Sequence, residues 1–581
     1  MSQESLKEVA ESPGSTVAQP PAIAPIAQGK HTVRNWLLPS LEGCLFFAFF
    51  LGVVLFGQVR ILSVDGDSAL HLRLGNDMLA HGGPVITNTL TITGYGQPFL
   101  AWEWLSEILF AGAWHLFGLN GVVALTAFII ALTSLLLFRA VQRRGTPILL
   151  AFPLTLAAIA LTSIHWLARP HIFSLLLTLW WSEQLWAYWQ SGNARKLWPL
   201  PFVMALWANL HGGFITGLII LGAATALVWV FPNAASTRNV RARRWQLTRA
   251  LLACLLATLL TPWGLAEPLH VVSFLSNGSV LNSIQEYNSP DFHQPYGQLF
   301  LVLLLVLGAC GIFRGWLAGG RAAHPADLEA RGEQRILAQL AAREPGALGW
   351  ILAGIFTAMA LISVRSLPLW AVVVTPILGR ELTCWIAEWG AADTRTRVAR
   401  GCRALFRRSW RLDALNKHLR SGVVVSLAGI IVLLLLLNKG TLPGATAPIL
   451  NAHFSPTIFP VEAIQAIQQG DMQGGALPAG AGFTTMEWAG YVEFTLPQHP
   501  VMVDTRVDFF DLSVLQDYQT IINGAPGWDQ LISEYSIHWL LIPQTIPLAQ
   551  IITLTQSWTC QELDARHLAL YCIPAPGIPV A

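Results

Sequence analysis

Eleven stretches of mostly apolar residues run through this chain, near 42–62, 120–139, 148–165, 171–190, 197–211, 213–231, 248–265, 297–315, 348–364, 367–385 and 421–438. About 20 such residues in a row are what a helix needs to cross the hydrocarbon core of a bilayer. There every backbone polar group must find its partner within the protein, which helices do by themselves. Composition agrees. Of 581 residues, 54% are hydrophobic and only 12% charged, whereas a soluble domain carries about 25% charged residues. The fifth run is short and fits a partly re-entrant segment. The apolar segment 101–118 holds Glu103, Glu107 and His115, with Trp and Leu at helical spacing. It reads as an interfacial helix lying along the membrane.

The net charge of +2 is the small difference between 35 basic and 33 acidic groups. It points to no nucleic-acid partner; the placement of the charges says more. With the N-terminus in the cytoplasm, 28 of the 35 basic residues fall in inner segments. That asymmetry obeys the positive-inside rule. The odd number of runs then puts 440–581 outside the cell membrane. The first forty residues are polar, rich in Pro, Ala, Ser and Gln, and lack a signal-peptide pattern. The expected organisation is a disordered cytoplasmic tail over 1–40, an α-helical polytopic membrane domain over 41–439 and an extracytoplasmic α/β domain over 440–581.

The sparse outer charges gather into one constellation. "SVDGDSALHLRLGNDMLAHGG" brings Asp65, Asp67, His71, Arg73 and Asp77 together after the first run. Glu103 opens the interfacial helix. "HWLARPHIF" supplies His165, Arg169 and His171; "WANLHGG" supplies Asn209 and His211; "NSIQEYNSPDF" supplies Glu286 and Asp291; "SVRSLP" supplies Arg365. Ionisable groups at a membrane edge are costly to hold and are often functional, although any one Arg here also reads as a snorkelling anchor. A carboxylate can take the proton of an acceptor hydroxyl, and guanidinium groups can hold a phosphate through paired hydrogen bonds. Asp65 and Asp67 are also candidate oxygen ligands for a divalent cation such as Mg or Mn. A proton-coupled transporter would more often carry its carboxylates mid-span. A transporter or flippase of a lipid-linked glycan, and a non-catalytic assembly protein, remain the alternatives.

The same residues resemble a known class. The acidic motif after the first run, the following "WLSEILFAGAWHLFGLNGVVALTAFIIALTSLLLFRAVQRRG" and the later "ARPHIFSLLLTLWW" resemble membrane glycosyltransferases of the GT-C fold. That class includes protein O-mannosyltransferases and aminoarabinose transferases. Nearest is a group of bacterial members marked by Asp65, Asp67, His71, Leu72 and Gly75, by "ANLHGGF" at 208–214 and by "VDTRVD" at 503–508. The resemblance covers most of residues 40–580. It implies a multi-pass protein of the bacterial inner (plasma) membrane. It also implies an inverting transfer of a sugar from a polyprenyl-phosphate donor to a glycan, lipid or protein acceptor on the outer face. In the class an Asp of the first outer loop is the proposed base, which falls on Asp67 or Asp65. Asp67 is preferred, because it lies one helical turn before His71 if the loop continues as a helix. Arg365, Arg169 and Arg73 are the candidates for the donor phosphate, with His71, Glu103, His171, Asn209, His211 and Glu286 lining the pocket. The chain departs from the mannosyltransferases in lacking an Asp-Glu dipeptide here and a His-Pro-Pro segment before "WL".

The outer domain shows strand-like runs, "YVEFTL", "PVMVDTR", "IHWLLIP" and "LALYCIP", and a helix at "GWDQLISEY". Asp504, Arg506 and Asp508 fit either a sugar contact or a structural ion pair. Cys560 and Cys572 flank "QELDARHLALY", two extended runs joined by a turn that would set the thiols opposite each other. An oxidising compartment permits that bridge. The orientation is open to a direct check. A reporter active only in the cytoplasm should work when fused near Arg144, Arg244 or Arg408 and fail near Gly94, Asn288 or Gly524; activity at Asn288 would overturn the arrangement.

Overall fold

The computed structural model describes residues 39–63, 66–231, 240–278, 281, 284–320, 346–391, 396–419, 422–442, 444–471, 477–564 and 569–575. Asp65, Arg566 and nearly all of the expected tail lie outside them. The bundle comprises α1 (Leu41–Phe56), α2 (Gln58–Leu62), α3 (Asp67–His81), α4 (Trp104–Arg143), α5 (Ile148–Thr162), α6 (His171–Ser191), α7 (Leu200–Leu210), α8 (Phe214–Val230), α9 (Val240–Ala257), α10 (Ala266–Ser276), α11 (Pro295–Gly320), α12 (Ala347–Ile362), α13 (Leu367–Ala391), α14 (Arg397–His418) and α15 (Gly422–Leu437). The C-terminal part follows as α16 (Val461–Gln469), β1 (Ala481–Thr484), α17 (Met486–Thr495), α18 (Leu512–Ile522), α19 (Trp528–Glu534), β2 (Ile537–Pro543), α20 (Pro547–Ile552), β3 (Trp558–Asp564) and β4 (Ala569–Pro574).

Each apolar run falls wholly or largely on helix, as a multi-pass membrane protein requires. Among the described residues, four helices are long and apolar enough to cross a bilayer alone, or five if the bent pair α14 and α15 forms one span. Others are interrupted. The first run breaks at Gly57, between α1 and α2. The fifth is only the 11 residues of α7, about 16 Å of helix, too short to cross. The seventh begins earlier than its apolar run, because α9 takes in Arg241, Arg243, Arg244 and Arg249. The segment expected as an interfacial helix joins α4, but non-helical angles at Phe117 and Gly118 break it where expected. Gly118 has φ +61°, a conformation that glycine adopts without steric cost.

The bundle core is densest around α13, where Leu367, Trp370, Ala371, Val372 and Val374 are fully buried. In lipid such burial is held by close packing, because acyl chains are as apolar as the side chains themselves. The C-terminal part carries a four-stranded sheet in the order β1-β2-β4-β3, with β1 parallel to β2 and the other pairs antiparallel. Cys560 and Cys572 stand opposite each other in register and form a disulfide. Two strand expectations are corrected. "YVEFTL" falls mostly in α17, a helix whose middle, Trp488 to Glu493, is buried all round. "PVMVDTR" forms only isolated bridges, from Val501 to Thr91 and Gly482.

One hydrophobic cluster crosses from the bundle to the C-terminal part. Phe46, Val54, Ile61 and Phe110 pack in it with Trp488, Tyr491, Trp539 and Tyr571. At the seam, α17 lies against the start of α3. A Cβ on Gly490 would sit 2.4 Å from the carbonyl oxygen of Gly66, and one on Gly66 would sit 2.7 Å from that of Glu487. Backbone meets backbone there and neither side can yield. Gly490→Val should therefore cost about 1–3 kcal/mol or more, seen as a lower melting temperature in detergent; unchanged stability would show that the seam is loose.

Candidate active site

The elements that meet at this seam enclose a cavity of about 460 Å³. Helix α3 starts at Asp67, whose carboxylate sits in the first turn, where the helix dipole favours negative charge. Asp67, Leu70, His71 and Leu74 line the cavity, positions i, i+3, i+4 and i+7 of one helix face. Helix α4 presents Glu103 and Glu107 four residues apart. The two helices cross at Gly75, where a Cβ would lie 2.2 Å from the Glu107 carbonyl oxygen. Only glycine permits that approach, which brings His71 Nδ1 to 3.0 Å from Glu107 Oε1 and His71 Nε2 to 3.8 Å from Glu103 Oε2.

The "HGG" turn after α7 has an equally tight cause. A Cβ on Gly212 would strike the Trp102 ring at 2.3 Å, and one on Gly213 would strike Ser174 Oγ at 2.4 Å. The Gly213 N–H donates to His211 Nδ1 at 2.8 Å, so the imidazole proton sits on Nε2. Nε2 faces Glu103 Oε1 at 3.3 Å. Ser174 Oγ, which receives the Trp207 indole N–H at 2.7 Å, also bonds His211 Nδ1 at 2.8 Å. Three groups thus settle which face His211 offers to Glu103.

On the other side stands a chain of charges. Arg169 Nη1 lies 3.1 Å from Asp67 Oδ2 and 3.4 Å from Glu286 Oε1. Arg365 Nη1 lies 3.0 Å from Glu286 Oε2, with its guanidinium over the Tyr287 ring at 5.2 Å. Hydrogen bonds join the two loops that carry this pair: Val364 N–H donates to the Asn288 carbonyl at 2.8 Å, and Ser363 Oγ to the Glu286 carbonyl at 3.0 Å. Burial lowers Arg169 to about 10, still a cation at neutral pH. Burial would raise Glu286, but Arg365 and Arg169 outweigh it and hold its carboxyl below the usual range. Burial raises Asp67, against the pull of His71 and a hydrogen bond with Thr505. Burial likewise lifts Glu103 to about 7. Burial works against a charged His71, yet the Glu107 hydrogen bond and the charges of Glu103, Glu107 and Asp67 prevail and raise it to about 9.

The structure therefore brings together Asp67, His71, Glu103, Arg169, His171, His211, Glu286 and Arg365 from far-separated segments. Two expected members lie elsewhere. Arg73 pairs with Asp77 at 3.0 Å and reaches the Glu493 carbonyl. Six residues at about 100° each carry it around the helix from Asp67, into a different surface cavity. Asn209 is consumed as a clasp. Its amide donates to the carbonyls of Ala205 and Leu260, and its oxygen accepts from Trp104 Nε1. Missing from the sequence reading of the site were Glu107, which helical phase from Glu103 would have indicated, and Glu487 and Thr505, which enter from the C-terminal part. Asp504 and Arg506 form a buried pair, while Asp508 bonds His270 at 2.9 Å and lines the cavity. Among the described residues no group of three His, Cys, Asp or Glu side chains is placed to hold a metal ion. Asp67 and Glu286 direct oxygens to Arg169 and Arg365, and Asp65, the other expected ligand, lies outside the described residues.

The chain is similar to three solved structures. The Archaeoglobus fulgidus oligosaccharyltransferase in the apo form shares 9% identity over 86% of this chain and 68% of that one, with a TM-score of 0.47. The same enzyme tethered with an acceptor peptide containing the NVT sequon shares 12% over the same fractions, at 0.49. ArnT from Cupriavidus metallidurans in the apo state shares 15% over 91% of this chain and 97% of that one, at 0.43. No protein-family model matches the chain. No curated protein matches it either.

The pairing of His71 has a consequence for stability. Its folded pKa of about 9 lies above the ordinary histidine value, about 6.5 in the unfolded chain. The stabilisation is full below about pH 6.5 and is lost as pH rises through about 9. The wild-type melting temperature should fall across that window, and His71→Gln should flatten the fall. An equal fall in both proteins would show that His71 is not the charged partner of Glu107.

Proposed function

We propose that this cavity transfers a glycosyl group from a polyprenyl-phosphate donor to a nucleophilic acceptor at the outer face of the membrane. The observation that carries the reading is the line Asp67, Arg169, Glu286, Arg365: a carboxylate beside two guanidinium groups that share one further carboxylate. Guanidinium groups present paired donors to phosphate oxygens. A donor phosphodiester arriving at Arg365 and Arg169 competes with Glu286 for their N–H groups, and its contacts strengthen as the departing lipid phosphate gains its second negative charge. Asp67, released in part from Arg169, then accepts the proton of the acceptor hydroxyl.

The bonds balance as a single displacement. The acceptor oxygen attacks the anomeric carbon as the bond from that carbon to the phosphate oxygen breaks. The lipid phosphate leaves with the electron pair, held by the two arginines. The acceptor proton goes to Asp67. Attack opposite the leaving group inverts the anomeric configuration. The positive-inside pattern of the sequence supports an extracytoplasmic cavity, and the resemblance to bacterial members of the class supports the inner membrane.

A panel of polyprenyl-phosphate hexoses offered to the purified protein tests the reading. Asp67→Asn should leave folded protein and cut turnover by about 10²–10⁴. Arg365→Lys should weaken donor binding less than Arg365→Ala, because it keeps charge but loses the planar fork. Near wild-type turnover by Asp67→Asn would remove the base, and equal donor affinity in Arg365→Ala would make that residue an anchor.

A further inference from the structure

Helix α14 carries six Arg and one Lys against a single Asp. Guanidinium groups are too costly in hydrocarbon for such a helix to cross it. It lies across the bundle instead. Arg403 Nη1 donates to the Gly390 carbonyl, at the end of α13, at 3.0 Å. Phe406 and Trp410 pack with Ile386, Ala387 and Ala391 of that same end. Further along, Asp413 accepts from Gln142 Nε2, at the end of α4, at 3.4 Å, and from the backbone of Ile148, at the start of α5. Asn416 Oδ1 accepts the Leu41 N–H at 2.7 Å, and its amide donates to Glu42 at 3.1 Å, both at the start of α1. From Arg403 to Asn416 is about 20 Å of helix, so α14 runs over the ends of four helices. Those ends are remote from the cavity, because α4 and α13 begin beside Glu103 and Arg365, which line it.

A helix turns about 100° per residue, and that phase divides α14 into strips. Ala399, Phe406 and Ser409 are buried toward the bundle. Val398, Leu405 and Leu412 recur every seven residues on a second strip, and Val398 and Leu412 are exposed. Arg397, Arg400, Arg408 and Arg411 fall within about 80° of one another on a third, and all four are exposed. The apolar and arginine strips stand at roughly a right angle. The one acid of the helix, Asp413, is turned to the bundle, so no carboxylate of α14 neutralises the row. A row meant only for water or for a soluble acidic partner has no use for an apolar strip beside it. A helix lying in the bilayer interface uses both, with its apolar edge among acyl chains and its basic edge among headgroups.

We propose that α14 is a binding surface for anionic phospholipids of the leaflet opposite the cavity. The arginine row holds their phosphates, while Val398, Leu405 and Leu412 meet the first acyl carbons. The positive-inside pattern makes this the cytoplasmic leaflet. None of these residues lines the cavity, so the surface stands apart from the transferase reading.

Native mass spectrometry of the full chain tests it. The protein is released from maltoside micelles that hold equal amounts of dioleoyl phosphatidylglycerol and dioleoyl phosphatidylcholine, and the retained lipids are counted by mass. The wild type should retain phosphatidylglycerol in preference. The triple variant Arg400→Gln, Arg408→Gln, Arg411→Gln should lose that preference by about tenfold or more. Lys at the same three positions keeps the charge and should keep the preference. Arg195→Gln, Lys196→Gln and Arg241→Gln together remove three exposed charges elsewhere and should leave it in place. Equimolar glycerol phosphate, an anion without acyl chains, should not displace the lipid. No preference in the wild type, an undiminished preference in the triple Gln variant, its loss in the Lys variant, an equal loss in the control, or displacement by glycerol phosphate would each overturn the assignment.

Discussion

The cavity depends on a single shared carboxylate. Glu286 lies between Arg169 and Arg365, at 3.4 and 3.0 Å, and without it two cations would face each other in a largely buried site. Charges out of water persist only when paired, and removing one partner of a buried pair is strongly destabilising because it strands the other. Glu286 therefore sets the orientation of both guanidinium groups and, through Arg169, of Asp67. The arrangement also makes the site responsive, since an anion that enters competes directly with Glu286 for the same donors.

Backbone contact at glycines is what allows these charges to meet. Gly75 seats α3 on α4, Gly212 and Gly213 let the turn after α7 touch Trp102 and Ser174, and Gly66 and Gly490 join the C-terminal part to the bundle. In each case a single added carbon would collide with backbone or ring. The C-terminal part is consequently part of the site. It shares a hydrophobic cluster with the bundle and contributes Glu487, Thr505 and Asp508 to the cavity.

Two electrostatic halves face each other across this space. One is arginine-rich; the other holds a histidine cation between carboxylates, with Glu103 near neutrality in its pKa. Both result from the same condition, low solvent access, which penalises lone charges and strengthens the paired ones.

From the sequence alone one can read the helices, the charged residues that gather at one site and the helical phase that sets His71 one turn after Asp67, because these follow from local periodicity and from the cost of holding charge in an apolar chain. The same periodicity argues for Glu107 beside Glu103 and against Arg73, since a side chain six residues along a helix from Asp67 points to another face. "YVEFTL" misread as a strand shows the limit: a short apolar run has no period of its own, and the burial of Trp488 and Tyr491 against the bundle decided it. Asn209 shows another, because an amide near a site looks the same in sequence whether it meets a ligand or, as here, closes three hydrogen bonds to its neighbours. Only the tertiary structure could bring Thr505 and Asp508 to Asp67 across more than four hundred residues, because contacts at that separation are set by packing at the glycine seam and leave no repeating signal along the chain.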